Sequence, residues 1–245
     1  MGLAGSGLVL AVVLATLLGG VVPLTWERHS RLFLAFSAGT LVGLALGELV
    51  PEGLGSFADP HQGAMLVLLA FVTTMALDKL HILHPHPHGL DAQCPTTEHT
   101  HPPLAMHGAV GLLLHSGLDG LALAAAWREG LPALVAVATA LSAHKFADGL
   151  TTVSLVLSHH HRRSQATQVL LANAGLLLAG FFAGLGVPVP EEGMAWMLLA
   201  LAGFFLYLGA SDLIPSLTTP RCRKRDVVAT ALGVAAVVLV SVALH

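Results

Sequence analysis

Two seven-residue stretches combine the side chains that bind divalent metals. HSGLDGL begins at His115 and HKFADGL begins at His144, and each places an aspartate four residues after the histidine. On an α-helix, residues four apart share one face, so His115 and Asp119 would point together, as would His144 and Asp148. Two imidazoles and two carboxylates suit Zn²⁺, Fe²⁺, Mn²⁺ or Cd²⁺, whereas Cu(I) prefers thiolates. The alternative is a hydrogen-bonded polar cluster that only holds helices together.

Both stretches lie inside long apolar runs, which defines the class of protein. The chain has 245 residues, of which 55% are hydrophobic and only 10% charged, and its mean hydropathy is +0.78. Soluble domains carry about 25% charged residues. We therefore predict an integral membrane protein that lies in a lipid bilayer and has no nucleic-acid partner. The runs lack the period-two alternation of barrel strands, so the fold class is all-α.

Spanning a bilayer takes about 20 apolar residues, and eight runs of about this length are visible. The first lacks the basic segment of a signal peptide, so we expect it to be retained as a helix. Pro, Gly and charge clusters separate the runs, and the whole chain, 1–245, is expected to form one transmembrane domain. The predicted helices cover 3–24, 32–50, 62–80, 104–126, 131–157, 166–187, 194–214 and 227–244.

The basic residues predict the orientation, because cytosolic loops are enriched in Lys and Arg. With both termini outside the cytosol, nine of the eleven basic residues fall in cytosolic loops, and Arg128 alone falls outside. We expect a multi-pass protein of the cell (inner) membrane; a eukaryotic plasma or organelle membrane stays open as an alternative. Cys94 and Cys222 both fall on the cytosolic side, where thiols stay reduced, so no disulfide is predicted.

Histidines concentrate on the same side. The segment 81–103 combines histidines with Pro and Thr, which predicts a disordered loop, and a second tract opens the next cytosolic loop. Imidazole-rich tracts bind zinc and similar metals, so we predict metal handling here; a solvated linker is the alternative. The predicted loop ligands are His84, His86, His88, His99, His101, His159, His160 and His161.

Two internal repeats predict the architecture. The His-x-x-x-Asp-Gly-Leu motif recurs after 29 residues, on consecutive and therefore antiparallel helices 4 and 5. AGTLVGLALGELVP at 38–51 resembles AGFFLYLGASDLIP at 202–215, which relates helix 2 to helix 7 in inverted orientation. We predict inverted repeats of helices 1–3 and 6–8 around a central pair, a 3+2+3 arrangement. Inverted repeats around a polar midplane site are typical of transporters.

Further ionisable residues within the predicted spans include Glu48, Asp212 and Lys145, and charge there is costly and usually functional. Glu48 and Asp212 occupy equivalent places in the outer repeat, near opposite membrane faces. They are candidate entrance and exit positions for a cation, or else acids that cap helix ends beside a proline. Lys145 adjoins His144 and is predicted to be a charge partner of the carboxylates; the alternative is a lysine directed away from the site.

At these residues the chain resembles the ZIP (Zrt/Irt-like protein) family of divalent metal transporters. The resemblance rests on eight helices, a histidine-rich loop between helices 3 and 4, the segment GELVPEG, and the signatures that begin at His115 and His144. It implies zinc, or a related ion such as iron, manganese or cadmium, as the transported substrate, moved toward the cytosol. It also implies that His115, Asp119, His144 and Asp148 are the ligands.

Departures from the family signatures imply one intramembrane metal rather than two. Ser116 and Lys145 stand where Asn and an acid would complete a second site, and Asn173 aligns loosely with a glutamate of some members. Ser116 is therefore expected beside the metal rather than as its ligand. The family's usual Pro between His and acid is also missing from both signatures.

Transport is expected to proceed by alternating access, and the chain is expected not to be an enzyme. The main alternative is an intramembrane metal-dependent hydrolase in which Ser116 or a zinc-bound water attacks a lipid or amide. A third interpretation is a metal sensor or scaffold that binds through its loops. The sequence also leaves a homodimer open.

Overall fold

The apolar runs fold as helices because a chain in lipid must satisfy its backbone hydrogen bonds within each segment. The computed structural model describes residues 2–26, 29–57, 59–79, 102–158, 162–187, 190–217 and 224–244. None of these residues lies in a β-strand. The all-α fold class predicted from the sequence is confirmed.

The described residues form eight long helices. Seven of these helices are long and apolar enough to cross a membrane, as expected of a multi-pass membrane protein. The helices are α1 (Gly2–Thr25), α2 (Ser30–Gly55), α3 (Pro60–Lys79), α4 (Pro102–Glu129), α5 (Leu131–Ser158), α6 (Arg163–Gly186), α7 (Glu191–Leu206, continued by Tyr207–Leu213 and Ile214–Leu217) and α8 (Lys224–Leu244).

Helices α2 and α7 continue past the prolines at which the sequence predicted their ends. Each contains a wider π-helical segment, Ala45–Leu49 in α2 and Tyr207–Leu213 in α7, just before Pro51 and Pro215 respectively. Proline lacks an N–H and crowds the carbonyl four residues earlier, and a π turn changes the backbone pairing at that point. The helices therefore run on to residues 55 and 217.

The carbonyl that Pro51 leaves without its helical donor has a partner on another helix. This carbonyl belongs to Gly47, and the Ser241 hydroxyl of α8 donates to it at 2.9 Å. A buried carbonyl without a donor would be costly in lipid. The bond therefore stabilises the π segment and fixes α2 against α8 at that level.

The eight helices pack as two groups of four. Helix α1 runs along α5, α4 runs along α6, and α4 crosses α5; we call α1, α4, α5 and α6 the site group. Helix α2 runs along α8 and α3 along α7, and these four form the flanking group. The groups meet where α5 contacts α2 and α8, and where α4 contacts α7.

Within the site group, backbones touch at glycines that are related by the internal repeat. A Cβ on Gly149 of α5 would overlap the Thr16 backbone of α1, and a Cβ on Gly120 of α4 would overlap the Leu177 backbone of α6. Gly149 follows Gly120 by 29 residues, which is also the spacing of the His-Asp motifs. The α1–α5 and α6–α4 contacts are thus equivalent.

The flanking group shows the same relation. A Cβ on Gly39 of α2 would overlap the Thr230 backbone of α8, and a Cβ on Gly203 of α7 would overlap that of Val67 in α3. Gly203 follows Gly39 by 164 residues, the spacing that separates Asp212 from Glu48 in the outer repeat. The complete 3+2+3 arrangement stays a prediction, and these paired contacts agree with its helix correspondence.

Candidate metal site

The four side chains predicted as ligands lie together at the crossing of α4 and α5. His115, Asp119, His144 and Asp148 are all buried, and one ligand atom from each lies within 4.8 Å of the others. His115 Nε2 is 3.5 Å from Asp119 Oδ2 and 2.8 Å from His144 Nε2, which is 3.6 Å from Asp148 Oδ2. Ligand atoms about 2.0–2.1 Å from zinc stand about 3.3 Å apart in a tetrahedron. The donor set therefore has the dimensions of a zinc site.

Lys145 is fully buried beside this cluster and contacts both carboxylates. Its Nζ lies 2.5 Å from Asp119 Oδ2 and 2.6 Å from Asp148 Oδ2. It also donates to the Ser116 hydroxyl at 2.8 Å. This is the geometry of the charge partner predicted from the sequence. The ammonium stands at the carboxylates, where a second cation would otherwise balance their charge.

A chain of buried polar groups continues from Lys145 into α6. The Ser116 hydroxyl donates to Asn173 Oδ1, and Asn173 Nδ2 donates to the Thr152 hydroxyl at 2.9 Å. These bonds position Ser116 so that its oxygen accepts from Lys145. Asn173 was singled out only through a loose alignment with the family, and Thr152 carried no signal in the sequence beyond being polar in an apolar run.

Glu48 belongs to the site itself. Its Oε2 lies 3.1 Å from His144 Nδ1, so a residue of the flanking group contacts a predicted ligand. The sequence placed Glu48 near the outer end of α2, but the helix continues past Pro51, which puts the acid deeper in the helix. The Asp212 backbone lies in the π segment of α7, and its side chain is outside the described part of the structure.

Two cavities reach the site. The larger, of about 780 Å³, includes His115, Asp119 and Glu48 and extends past Glu52 and Thr139. It widens toward the ends of α2 and α4 at residues 55 and 129, the side on which α1 begins. We call this side the terminus side, and the cavity the vestibule. The opposite side, where α6 begins at Arg163, is the basic side.

The smaller cavity, of about 260 Å³, extends from Glu48, His144 and Asp148 toward the basic side between α2, α5 and α8. The hydroxyls of Thr40 and Thr151, which line it, lie 3.0 Å apart. Thr40 also donates to the Ser37 carbonyl at 2.8 Å, so Thr151 donates to Thr40. Sequence analysis missed this pair, because a threonine in an apolar helix usually bonds its own backbone.

The other predicted metal-handling residues lie outside the described part of the chain. These are the loop histidines His84, His86, His88, His99, His101, His159, His160 and His161. Cys94 and Cys222, predicted to stay unpaired, are outside it as well.

The chain is similar to known proteins. A family model described as ZIP Zinc transporter matches residues 84–241. The human zinc transporter ZIP4 is 29% identical over 178 residues, which are 71% of this chain and 25% of the human protein. The mouse zinc transporter ZIP4 is 30% identical over 115 residues, 47% of this chain and 17% of the mouse protein. The chain thus spans about a quarter of the human relative's length.

Proposed function

The chain belongs to the ZIP zinc transporter family, and from this membership we propose that it carries zinc across a membrane through the His115, Asp119, His144 and Asp148 site. The observation that carries the proposal is the position of this cluster. It is buried at the bottom of a vestibule, where two separately packed helix groups meet. A buried polar site between two bodies suits alternating access.

The formal charges of the site favour a single divalent ion. With the carboxylates ionised and both imidazoles neutral, Asp119, Asp148 and Glu48 contribute three negative charges and Lys145 one positive charge. One Zn²⁺ balances the remainder, and a buried charge that is left unbalanced in lipid is costly. Iron, manganese and cadmium, which the donor set also accepts, are the competing substrates to test.

The packing supports a moving unit larger than helices 4 and 5 alone. Backbone contacts such as Gly149–Thr16 and Gly120–Leu177 join α5 to α1 and α4 to α6. We propose that the site group moves as one body against the flanking group. Metal then enters from the vestibule and leaves past the Thr40–Thr151 contact on the basic side.

The direction of transport follows from the predicted orientation. The basic side is proposed to face the cytosol, with both termini outside it, so the vestibule takes up metal from outside the cell membrane. Glu48 and Asp212 are proposed to receive and release the ion on the two sides of the midplane. The loop histidines are proposed to adjust the rate without being required for transport.

The form of the hydrolase alternative that uses Ser116 as nucleophile is disfavoured by this geometry. The Ser116 hydroxyl donates to Asn173 and accepts from Lys145, a cation that cannot act as a general base while it is charged. Family membership points the same way, because the family is one of transporters.

Zinc uptake into proteoliposomes tests the proposal. We expect radioactive zinc to accumulate with the wild-type chain and to fall to the empty-liposome level with His115→Ala or Asp148→Ala. His61→Ala, an exposed histidine at the start of α3, is the matched control and should keep wild-type uptake. Competition of added manganese, iron and cadmium with zinc uptake would rank the metals.

Two results would contradict the proposal. One is no uptake by folded, zinc-bound wild-type protein. The other is uptake that survives both site substitutions but disappears when residues 81–103 are deleted, which would favour a loop-based metal sensor.

A further inference from the structure

His144 presents its two ring nitrogens to different partners. Nδ1 lies 3.1 Å from Glu48 Oε2, whereas Nε2 lies 2.8 Å from His115 Nε2 and 3.6 Å from Asp148 Oδ2. A neutral imidazole carries one N–H, and an ionised carboxylate can only accept a hydrogen bond. The proton of His144 therefore belongs on Nδ1, toward Glu48. The lone pair of Nε2 is then directed into the predicted metal site, where it can accept a hydrogen bond from His115 Nε2.

His115 has no such support in the described part of the structure. Its Nδ1 is buried and has no hydrogen-bond partner among the described residues. Its ring is held by packing instead, edge-on to Phe205 with the ring centroids 5.9 Å apart. Of the two predicted imidazole ligands, His144 alone has a carboxylate on its outer nitrogen here.

Glu48 is itself held in place, and by the flanking group. It lies within the π segment of α2, and the preceding residue, Gly47, accepts a hydrogen bond from Ser241 of α8. The carboxylate that contacts His144 is thus anchored to a different helix group from the imidazole. The contact exists only while α2 lies against α5 at this level.

We propose that Glu48 is a positioning residue that orients His144 for metal binding, which makes tight binding depend on the docking of α2 against α5. The inference rests on the proposed function, since it takes His144 to be a zinc ligand. Loss of a carboxylate behind a ligating histidine typically weakens metal binding 10–100-fold. Movement of the site group away from Glu48 would weaken the site in the same way and favour release.

The test compares equilibrium zinc affinity and the visible absorption spectrum of bound Co²⁺ in the purified full-length chain. Binding by Asp148→Ala is subtracted as the loop background. We expect Glu48→Ala to weaken zinc binding about 10–100-fold and to change the cobalt spectrum, because one nitrogen ligand is misoriented. Glu48→Gln keeps a hydrogen-bond acceptor of the same shape, so it should recover part of the affinity and the wild-type spectrum.

Glu52→Gln is the matched control. Glu52 lies one helical turn further along α2 and lines the same vestibule, so this change removes the same charge without touching His144. We expect less than a threefold change in affinity and an unchanged cobalt spectrum. Weaker zinc binding and a changed cobalt spectrum in Glu52→Gln, equal in size to the effects of Glu48→Ala, would assign Glu48 a general electrostatic role and overturn the proposal.

Two outcomes separate this inference from the proposed function. Wild-type affinity and spectrum in Glu48→Ala, with binding lost in His115→Ala, would overturn the positioning role alone. Slower zinc association with unchanged affinity would do the same and leave Glu48 as an entrance acid. If His115→Ala and Asp148→Ala also bind like the wild type, the metal site itself is wrong.

Discussion

Two of the contacts between the helix groups are equivalent in the repeat and opposite in character. Where α2 meets α5, Glu48 contacts His144 and Thr40 bonds Thr151. Where α4 meets α7, the contact is apolar, and the groove between the helices is lined by residues such as Leu114 and Met197. A symmetric pair of interfaces thus has one polar and one apolar member.

Under the proposed alternating access, the difference assigns the closed gate to the basic side of the site. The outer repeat pairs Thr40 with Phe204, and the repeat of the His-Asp motif pairs Thr151 with Ala122. Thr40 and Thr151 are in contact on the basic side, but Ala122 lines the open vestibule while Phe204 packs over Gly111. In an inverted-repeat transporter, one gate is closed while its counterpart is open. Under the proposed alternating access, this asymmetry corresponds to a state open to the terminus side.

A disulfide cross-link across the Thr40–Thr151 contact gives the largest expected effect. The hydroxyls of Thr40 and Thr151 are 3.0 Å apart, close enough for a disulfide after modest adjustment. With Cys94 and Cys222 replaced by serine, oxidation of Thr40→Cys/Thr151→Cys should abolish zinc uptake and leave zinc binding from the terminus side intact. A reductant should restore uptake in the same sample. Full uptake by the oxidised, cross-linked protein would contradict the role of the Thr40–Thr151 contact as a gate.

Lys145 is the second asymmetry, because its counterpart in α4 is Ser116. Lys145→Asp combined with Ser116→Asn should raise the number of bound zinc ions at this site from one to two. The double substitution removes the ammonium that balances the charges of Asp119 and Asp148. It also supplies two side chains with oxygen ligands. Atomic absorption after equilibrium dialysis measures the stoichiometry, with Asp148→Ala as background. Lys145→Leu supplies no ligand and is the control; two ions in that variant would contradict the interpretation.

Gly120 lies at a contact within the site group, and Gly111 lies at a contact between the two groups. A Cβ on Gly120 would meet the Phe181 nitrogen at 2.7 Å, and rigid backbones cannot yield, so Gly120→Ala should destabilise the fold by about 1–3 kcal/mol. At Gly111 the neighbour is the Phe204 side chain, with Cδ1 at 2.8 Å, which can rotate. Gly111→Ala should therefore cost less.

Thermal unfolding in detergent measures both changes. Gly117→Ala, whose added Cβ would find its nearest neighbour at 4.0 Å, is the control on the same helix. Equal losses for Gly111→Ala and Gly120→Ala would mean that the two groups are as firmly joined to each other as each is within itself.

Local spacing explains what the sequence could predict, and three-dimensional packing explains what it could not. The spacing of His115 and Asp119 fixes their common face on one helix, and length and hydropathy predict the helices. The Glu48–His144 contact joins residues 96 positions apart and depends on the rotation of α2 about its axis. That rotation changes at the π segment, which residue types near Pro51 did not reveal.

The smallest expected effect comes from the removal of a single hydroxyl group. Thr151→Val keeps the shape of the side chain and removes the donor to Thr40, whose own hydroxyl still bonds the Ser37 carbonyl. No buried donor is left unsatisfied, so the loss is about 1 kcal/mol, or about fivefold in the balance between the two access states. The polar contact favours the vestibule-open state, and its loss should shift the population away from that state.

The reporter is Ala122→Cys in a background without Cys94 and Cys222, because Ala122 lines the vestibule. A thiol reagent added on the terminus side should label it more slowly in Thr151→Val, by at most about fivefold. Thr151→Ser restores the hydroxyl and should restore the rate. An unchanged rate in Thr151→Val would mean that the hydroxyl pair does not hold the gate, and that apolar packing around the smaller cavity closes the basic side.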